Sequence, residues 1–195
     1  MEENKGTGTK RFDEVLDEVL YALRTVVITS VVIFMVFHFW FMPVTVDGPR
    51  MSPTLETGQW GFSSLLSKYV GNYDRFDVVV VYYEEKDMKL VKRIVGLPGE
   101  KIEYKEDVLY VNDEPVEEKF FDKEFIYRQT YEGAIQFTED FGPYYLRDDE
   151  YFLIGDNRPR STDSRVLGAF KEEYILSKSI LVLWPITSFH FAGKK

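Results

Sequence analysis

Lys92 is the residue of this sequence whose surroundings best suit catalytic chemistry. It lies in the run LVKRIV, where the apolar residues before and after it predict a strand that faces a core. Burial in such a strand lowers the pKa of a lysine from about 10.4 towards roughly 7–8, where the neutral amine can act as a general base. A single lysine in a strand is more commonly exposed to solvent, so this run by itself does not predict catalysis.

Composition excludes several other chemistries. The chain of 195 residues has no cysteine, which removes disulfides, cysteine-ligated zinc and thiol catalysis. His38 and His190 are too few and too far apart for a histidine metal site or a Ser-His triad, so we expect neither a metal nor another cofactor. The net charge of −9 argues against nucleic acid as a partner, because no basic stripe could neutralise phosphates.

Three separate segments carry a more specific pattern. They read VDGPRMSPTL over residues 46–55, LVKRIVGLPGE over 90–100 and GDNRPRSTDSRVLG over 155–168. Together they resemble the signature segments of type I signal peptidases, the membrane-bound Ser/Lys endopeptidases that remove signal peptides. The resemblance covers most of residues 43–185, and its specificity comes from the combined spacing of the three segments.

The resemblance assigns the reacting groups. Lys92, rather than Arg93, aligns with the general base of the family, and Ser161 would hydrogen-bond the lysine amine and orient it. In the family the first segment reads roughly G-x-S-M-x-P-T-L, and its serine is the nucleophile. In this sequence the same position is Arg50.

The resemblance also implies structural and binding roles. Asp163 and Arg165 would form an ion pair that holds the third segment, and Asp156 and Arg158 would brace its turn. Gly48 matches a position near the oxyanion site, where glycine permits close approach but brings no hydroxyl donor. A substrate would bind extended, as a strand added to an exposed edge. Four apolar residues match positions that line the pockets for the small side chains at the first and third residues before the cut, namely Val46, Met51, Leu55 and Leu90.

Arg50 changes what such a site can do. Nucleophilic catalysis needs an oxygen or sulfur atom beside the base, whereas arginine has only donors and stays protonated. Ser52 is a possible substitute, but it lies about 6.5 Å further along an extended segment, and catalytic geometry fails over about 1 Å. Arg50 either fills the cleft or binds a carboxylate or a peptide carbonyl, and the sequence leaves both interpretations open.

An apolar segment precedes the motifs. Residues 25–42 contain no Asp, Glu, Lys or Arg, and this length is near the minimum for a membrane-spanning helix. Four basic residues precede the segment and only Arg50 follows it closely, so the positive-inside rule predicts a cytoplasmic N-terminus. We therefore predict a cytoplasmic segment over 1–24, part of it an amphipathic helix, a signal anchor over 25–43 and an extracytoplasmic domain over 44–195.

The domain after the anchor is predicted to be mostly β, a signal-peptidase-like core with a smaller β subdomain. Short β-like runs alternate with Gly, Pro, Asn and Asp, with tight turns at Glu106–Asp107 and Asn112–Asp113 and one short helical stretch near Ser63–Tyr69. By resemblance, residues 105–150 form the variable β subdomain beside the catalytic core. The predicted strands are Val44–Asp47, Asp77–Tyr83, Lys89–Val95, Lys101–Tyr104, Val108–Val111, Tyr151–Ile154 and Ile180–Trp184.

One family and several functions follow from these features. We predict a membrane-anchored member of the signal peptidase I family whose partners are signal peptides or secreted preproteins and the lipid bilayer. Because position 50 lacks a serine, we favour a protein that binds secreted substrates without cutting them. One alternative is an active peptidase with Lys92 as the general base, which either uses Ser52 or carries a sequence change at position 50. The other is an assembly or chaperone factor for secreted surface proteins. Self-cleaving Ser/Lys repressors share the core fold, but they carry a DNA-binding domain and not a membrane anchor.

Overall fold

The computed structural model describes residues 6–70, 72–131 and 136–193. The chain divides into two units, Met1–Trp40 and Phe41–Lys195. Residues 1–5 of the predicted cytoplasmic segment and residues 132–135 of the predicted subdomain lie outside the described residues.

The first unit consists of one helix, α1, from Gly6 to Trp40, so the predicted amphipathic helix and the apolar segment are continuous. The part Asp13–Trp40 is long and apolar enough to cross a membrane. Its most apolar stretch has a mean hydropathy of 2.2, and its 28 residues extend about 40 Å at roughly 1.5 Å per residue. The helix ends three residues before the end of the predicted anchor, because Pro43 lacks a backbone N–H and disfavours helical geometry at the residue before it.

The second unit is built from antiparallel strands, which confirms the predicted mostly β fold. Its helices within the described residues are α2 (Lys123–Tyr131) and the short α3 (Ser164–Leu167). The strands are β1 (Phe41–Thr45), β2 (Trp60–Ser64), β3 (Val78–Tyr83), β4 (Met88–Gly96), β5 (Lys101–Lys105), β6 (Val108–Val111), β7 (Glu114–Val116), β8 (Phe141–Tyr145), β9 (Glu150–Ile154), β10 (Phe170–Lys171), β11 (Ile175–Trp184) and β12 (His190–Ala192).

The larger sheet has eight strands and a core on both of its faces. Neighbouring strands follow the order β1-β2-β11-β3-β4-β9-β10, and β12 pairs with β11. Successive side chains of β3 point to opposite faces, as the pleat of a strand requires. Val78 and Val80 therefore pack into one buried cluster, and Val79 and Val81 pack into another. This central strand holds the two halves of the core together.

The smaller sheet has the strand order β7-β6-β5-β8. The predicted turns Glu106–Asp107 and Asn112–Asp113 are confirmed, and all four residues have the positive φ that two-residue hairpin turns require. The sheet begins at Lys101, four residues before the predicted subdomain 105–150. β5 belongs to this sheet because it pairs with both β6 and β8.

Several short elements have no signal in the sequence. β2 reads WGFSS, and its geometry depends on contact with β11, where a Cβ atom on Gly61 would lie 2.0 Å from the carbonyl oxygen of Leu181. The helical stretch predicted near Ser63–Tyr69 begins as the end of β2 and continues as a 3₁₀-helix over Leu65–Lys68. The helix α2 was not predicted, and neither were β7, β8, β10 and β12.

Arg158 connects the turn after β9 to the smaller sheet. Its buried guanidinium forms an ion pair with Glu118, whose side chain is only 9% exposed, and donates to Tyr104 Oη at 3.0 Å and Thr138 Oγ1 at 3.2 Å. Its Nε atom donates to the carbonyl oxygen of Gly155 at 3.1 Å. The positive charge is thus compensated by one carboxylate from the loop between β7 and α2.

Replacing Glu118 with glutamine should destabilise the second unit strongly. The substitution leaves the buried Arg158 without its carboxylate, and removal of one partner from a buried ion pair typically costs about 3–5 kcal/mol. Glu117→Gln is the matched control, because Glu117 is 79% exposed and faces only Lys119 at 3.8 Å. Denaturant unfolding of both variants measures the difference. Equal midpoints would show that Glu118 does not compensate Arg158.

Candidate functional site

Lys92 lies buried in β4 beside Ser161. Its side chain has no exposed surface, and Nζ donates a hydrogen bond to Ser161 Oγ at 2.7 Å. Burial of the amine is the main cause that lowers the pKa of Lys92 from 10.5 to about 8. The charge of Asp163 raises this pKa, and the positive charges of Arg50 and Arg165 lower it further. The amine is therefore held near the range in which a lysine can act as a base.

β4 has an open edge next to this lysine. On one side β3 pairs with Met88–Arg93, but on the other side β9 pairs only from Arg93 to Gly96. No strand within the described residues pairs with Met88–Lys92 on that second side. The open edge offers backbone donors and acceptors to an extended chain.

Ser161 is positioned by the turn that follows β9. A Cβ atom on Gly155 would lie 2.2 Å from Ser161 Oγ and 2.6 Å from the carbonyl oxygen of Arg50, so glycine is needed for these groups to approach. Asp163 holds the turn: its carboxylate accepts from the Gly155 N–H at 3.1 Å and pairs with Arg165 at 2.9 Å. Burial acts to raise the pKa of Asp163, but the hydrogen bonds and charge of Arg165 outweigh it and hold the pKa below 3.8.

Asp156 joins three parts of the site. Its carboxylate accepts from Arg93 Nε at 2.7 Å and Nη2 at 2.5 Å, and both side chains are fully buried. Thr54 Oγ1, from the first segment, donates to the same carboxylate at 2.5 Å. The ring of Phe120 covers the Arg93 guanidinium at 4.0 Å. The sequence predicted that Asp156 braces the turn, but it did not predict the pair with Arg93. The available signal was the position of Arg93, a charged residue within an otherwise apolar strand.

Arg50, which the resemblance assigns to the nucleophile position, lines the cleft of this site. Its backbone carbonyl accepts from the Asn157 N–H at 3.1 Å, so the residue is fixed against the turn that carries Ser161. Its side chain is exposed, and Nη1 donates to the carbonyl oxygen of Asp47 at 3.3 Å. The position that would need a hydroxyl for catalysis thus carries a cation that projects into the cleft mouth.

Ser52 does not replace the missing hydroxyl in this geometry. The residue is 6% exposed, and its hydroxyl donates to Glu56 Oε2 at 2.8 Å. The amine of Lys92 is instead bonded to Ser161. The hydrogen bonds therefore disfavour Ser52 as a nucleophile activated by this lysine.

A small cleft of about 100 Å³ lies between the first segment and the open edge of β4. Arg50 and Lys92 line it together, and Gly48, with a φ of +83°, forms part of its rim. Leu55 is not among the lining residues. Its side chain has no exposed surface and packs inside the core cluster, whereas Met51 of the same cluster also borders the cleft. The predicted pocket residues that do line the cleft are Val46, Met51 and Leu90.

Within residues 6–70, 72–131 and 136–193, no three His, Asp or Glu side chains are placed to hold a metal ion. The site offers the buried amine of Lys92, the hydroxyl of Ser161 and the guanidinium of Arg50.

Comparison with known proteins identifies the family of these motifs. The family described as "Signal peptidase, peptidase S26" matches residues 19–184. The chain is 39% identical over 165 residues to signal peptidase I S of Bacillus subtilis, covering 83% of this chain and 87% of that protein. It is 34% identical over 187 residues to signal peptidase I of Bacillus licheniformis, covering 95% and 96%. A crystal structure of a signal peptidase I from Enterococcus faecalis is 28% identical, with a TM-score of 0.45 and coverage of 56% of this chain and 97% of that one.

Replacing Lys92 with methionine should stabilise the protein at neutral pH. The folded-state pKa of about 8 lies below the unfolded value of 10.5, so the charged amine lowers stability by roughly 3 kcal/mol below pH 8. This cost disappears as the pH rises from 8 to 10.5. Methionine has no charge but loses the bond to Ser161, which is worth about 1 kcal/mol. We expect a net gain of about 2 kcal/mol at pH 7 in denaturant unfolding, and none at pH 10.

Lys89→Met provides the control for this measurement. Lys89 lies on the same strand, but its side chain is exposed. Its replacement should shift stability little and equally at the two pH values. A Lys92→Met variant whose stability change is the same at pH 7 and pH 10 would contradict a depressed pKa for this amine.

Proposed function

Because the chain belongs to the signal peptidase, peptidase S26, family, we propose that it binds signal peptides in the cleft beside Lys92 without cutting them. The observation that carries this proposal is Arg50, a cation without a nucleophilic atom at the position of the family's serine. The open edge of β4 and the apolar residues Val46, Met51 and Leu90 lie around the same cleft.

Peptide binding has a structural basis in the open edge of β4. A segment in extended conformation would add a strand along Met88–Lys92, where main-chain hydrogen bonds supply affinity. Alternate side chains of such a strand point to the same face. Those that point towards Val46, Met51 and Leu90 would meet the apolar part of a cleft whose whole volume is about 100 Å³, which favours small side chains.

An exposed apolar face of the larger sheet supports a location at the membrane surface. Leu181 of β11 lies opposite Phe191 on one side and Phe62 on the other, and Trp184 lies opposite Trp60. Phe191 and Trp184 are 65% and 62% exposed. Aromatic side chains favour the interface between water and lipid. We infer that α1 spans the membrane, that the N-terminus is cytoplasmic, and that this face contacts the outer leaflet.

Arg50→Ser should create cleavage after small residues. The variant places a hydroxyl beside an amine that is already buried and oriented by Ser161. Cleavage should increase as the pH rises through the pKa of Lys92, because the lysine acts as a base only when neutral. This pKa should lie above the parent value of about 8, since the variant lacks the Arg50 charge that lowers it. The assay follows proteolysis of a signal-peptide substrate by the purified full-length protein. The parent chain should bind the substrate and leave it intact.

Two further variants separate the hydroxyl from the loss of charge. Arg50→Ala removes the guanidinium without adding a nucleophile, so it should stay inactive. Lys92→Met in the Arg50→Ser background should abolish the gain, because an unactivated serine is a poor nucleophile. Cleavage by the parent chain that stops on Ser52→Ala would overturn the proposal and favour an active peptidase.

The topology can be tested on intact cells stripped of their wall. Added protease should digest residues 44–195, because the basic residues before α1 predict a cytoplasmic N-terminus. An epitope fused to the N-terminus should stay protected until the cells are lysed, which serves as the internal control. Protection of the C-terminal domain in intact cells would show the opposite orientation.

A further inference from the structure

We propose that the cleft recognises the free α-carboxylate of a peptide that ends in a small apolar residue, and that Arg50 is the residue that binds this carboxylate. The inference rests on the proposed function, since it specifies which form of peptide the cleft takes. A peptide of this kind is the product of an endopeptidase cut, so the reaction that supplies the ligand is a cleavage made by another enzyme.

The charge lining the cleft has the sign opposite to that of the whole chain. The chain carries a net charge of −9, yet Arg50, Lys89 and Lys92 all line the cleft, and Asp47 is the one acidic residue among its lining residues. Asp47 contributes its backbone carbonyl to Arg50. The cleft is therefore a positively charged place on an acidic protein, which suits an anion.

The neighbouring carboxylates are already engaged by other cations. Asp163 is held by Arg165 and by a backbone N–H, and Asp156 is held by Arg93 through two hydrogen bonds. Both acids are fully buried, and each is paired with another arginine. Within the part of the chain that the structure describes, no carboxylate lies within ion-pair distance of the Arg50 guanidinium.

The Arg50 guanidinium retains most of its capacity to donate. It has five N–H donors in a planar fork, and one of them bonds the Asp47 carbonyl at the long distance of 3.3 Å. The fork matches a carboxylate, which can accept two parallel hydrogen bonds. Arg50 also lowers the pKa of Lys92, so the two cations repel each other across the site. A bound anion would relieve that repulsion, whereas a neutral peptide group would not.

A terminal carboxylate fits this arrangement better than an internal segment. A bound peptide that continued beyond the guanidinium of Arg50 would offer it only neutral carbonyl groups. Such a peptide would also have to pass the exposed Arg50 side chain at the mouth of the cleft. A peptide that ends there places its one negative backbone group beside the cation. The apolar walls at Val46, Met51 and Leu90 then surround its last side chain, and a volume of about 100 Å³ limits that side chain to a small one.

The experiment compares four labelled peptides on the full-length protein in detergent micelles by fluorescence anisotropy. The first ends in alanine with a free carboxylate, the second is its C-terminal amide, the third continues four residues beyond the alanine, and the fourth ends in phenylalanine with a free carboxylate. We expect the first to bind at least about ten-fold more tightly than each of the others, and its advantage over the amide to shrink with added salt.

Substitutions assign the preference to Arg50. Arg50→Gln should reduce binding of the free acid to the level of the amide while leaving the amide unchanged. Arg50→Lys, which keeps the charge but loses the fork, should give an intermediate preference. Arg147→Gln removes one positive charge from a side chain that is 80% exposed elsewhere on the surface, and it should keep the full preference.

The outcomes distinguish this inference from the function on which it rests. Equal binding of acid and amide, or tighter binding of the continued peptide, would overturn carboxylate recognition while peptide binding stands. Equal binding of the two free acids would overturn the requirement for a small last residue. Failure of all four peptides to bind would overturn the proposed function and this inference together.

Discussion

The buried ion pair between Arg93 and Asp156 is the interaction on which the rest of the site depends. It joins β4 to the turn after β9, and Thr54 connects the first segment to the same carboxylate. Two charges without solvent contact require hydrogen bonding to be tolerated. Here the two groups bond each other twice, Thr54 donates to the carboxylate, and the guanidinium also donates to the carbonyl oxygen of Phe76. The three separated segments are therefore fixed at one point, and residues 50, 92 and 161 are brought together around it.

The alternation of β4 explains how one strand serves both structure and chemistry. Lys92 and Arg93 are adjacent, so their side chains leave opposite faces of the strand. Arg93 meets Asp156 and the ring of Phe120, whereas Lys92 meets Ser161. The strand thus buries both cations, Arg93 on one face and Lys92 on the other. A one-residue shift of register would exchange the two roles and leave each cation without its partner.

The sequence predicted those elements whose signal is local. Val108–Val111 was predicted with its observed bounds, and the two hairpin turns beside it were correct, because Asp and Asn tolerate the positive φ that such turns need. Pairing with distant strands determines the elements that were missed. Trp60–Ser64 pairs with both β1 and β11, and its close approach to Leu181 requires glycine at position 61. The motifs located Lys92 and Ser161, but no local pattern showed that Leu55 would leave the cleft for the core, or that Asp156 would pair with Arg93.

Arginine at position 50 affects the base as well as the nucleophile. A Ser/Lys active site needs a hydroxyl beside the amine, and the amine must be deprotonated before it can act as the base. Arg50 adds a like charge, which lowers the pKa of Lys92 in the same direction as burial does. The site thus has an amine with a depressed pKa and a permanent cation next to it, but position 50 supplies no hydroxyl for that amine to activate. Such a pair stabilises a negative charge placed between its members and destabilises a positive one. We therefore expect the electrostatics that would assist proton removal from a serine to favour a carboxylate where position 50 carries arginine, which is the physical basis of the proposed carboxylate recognition.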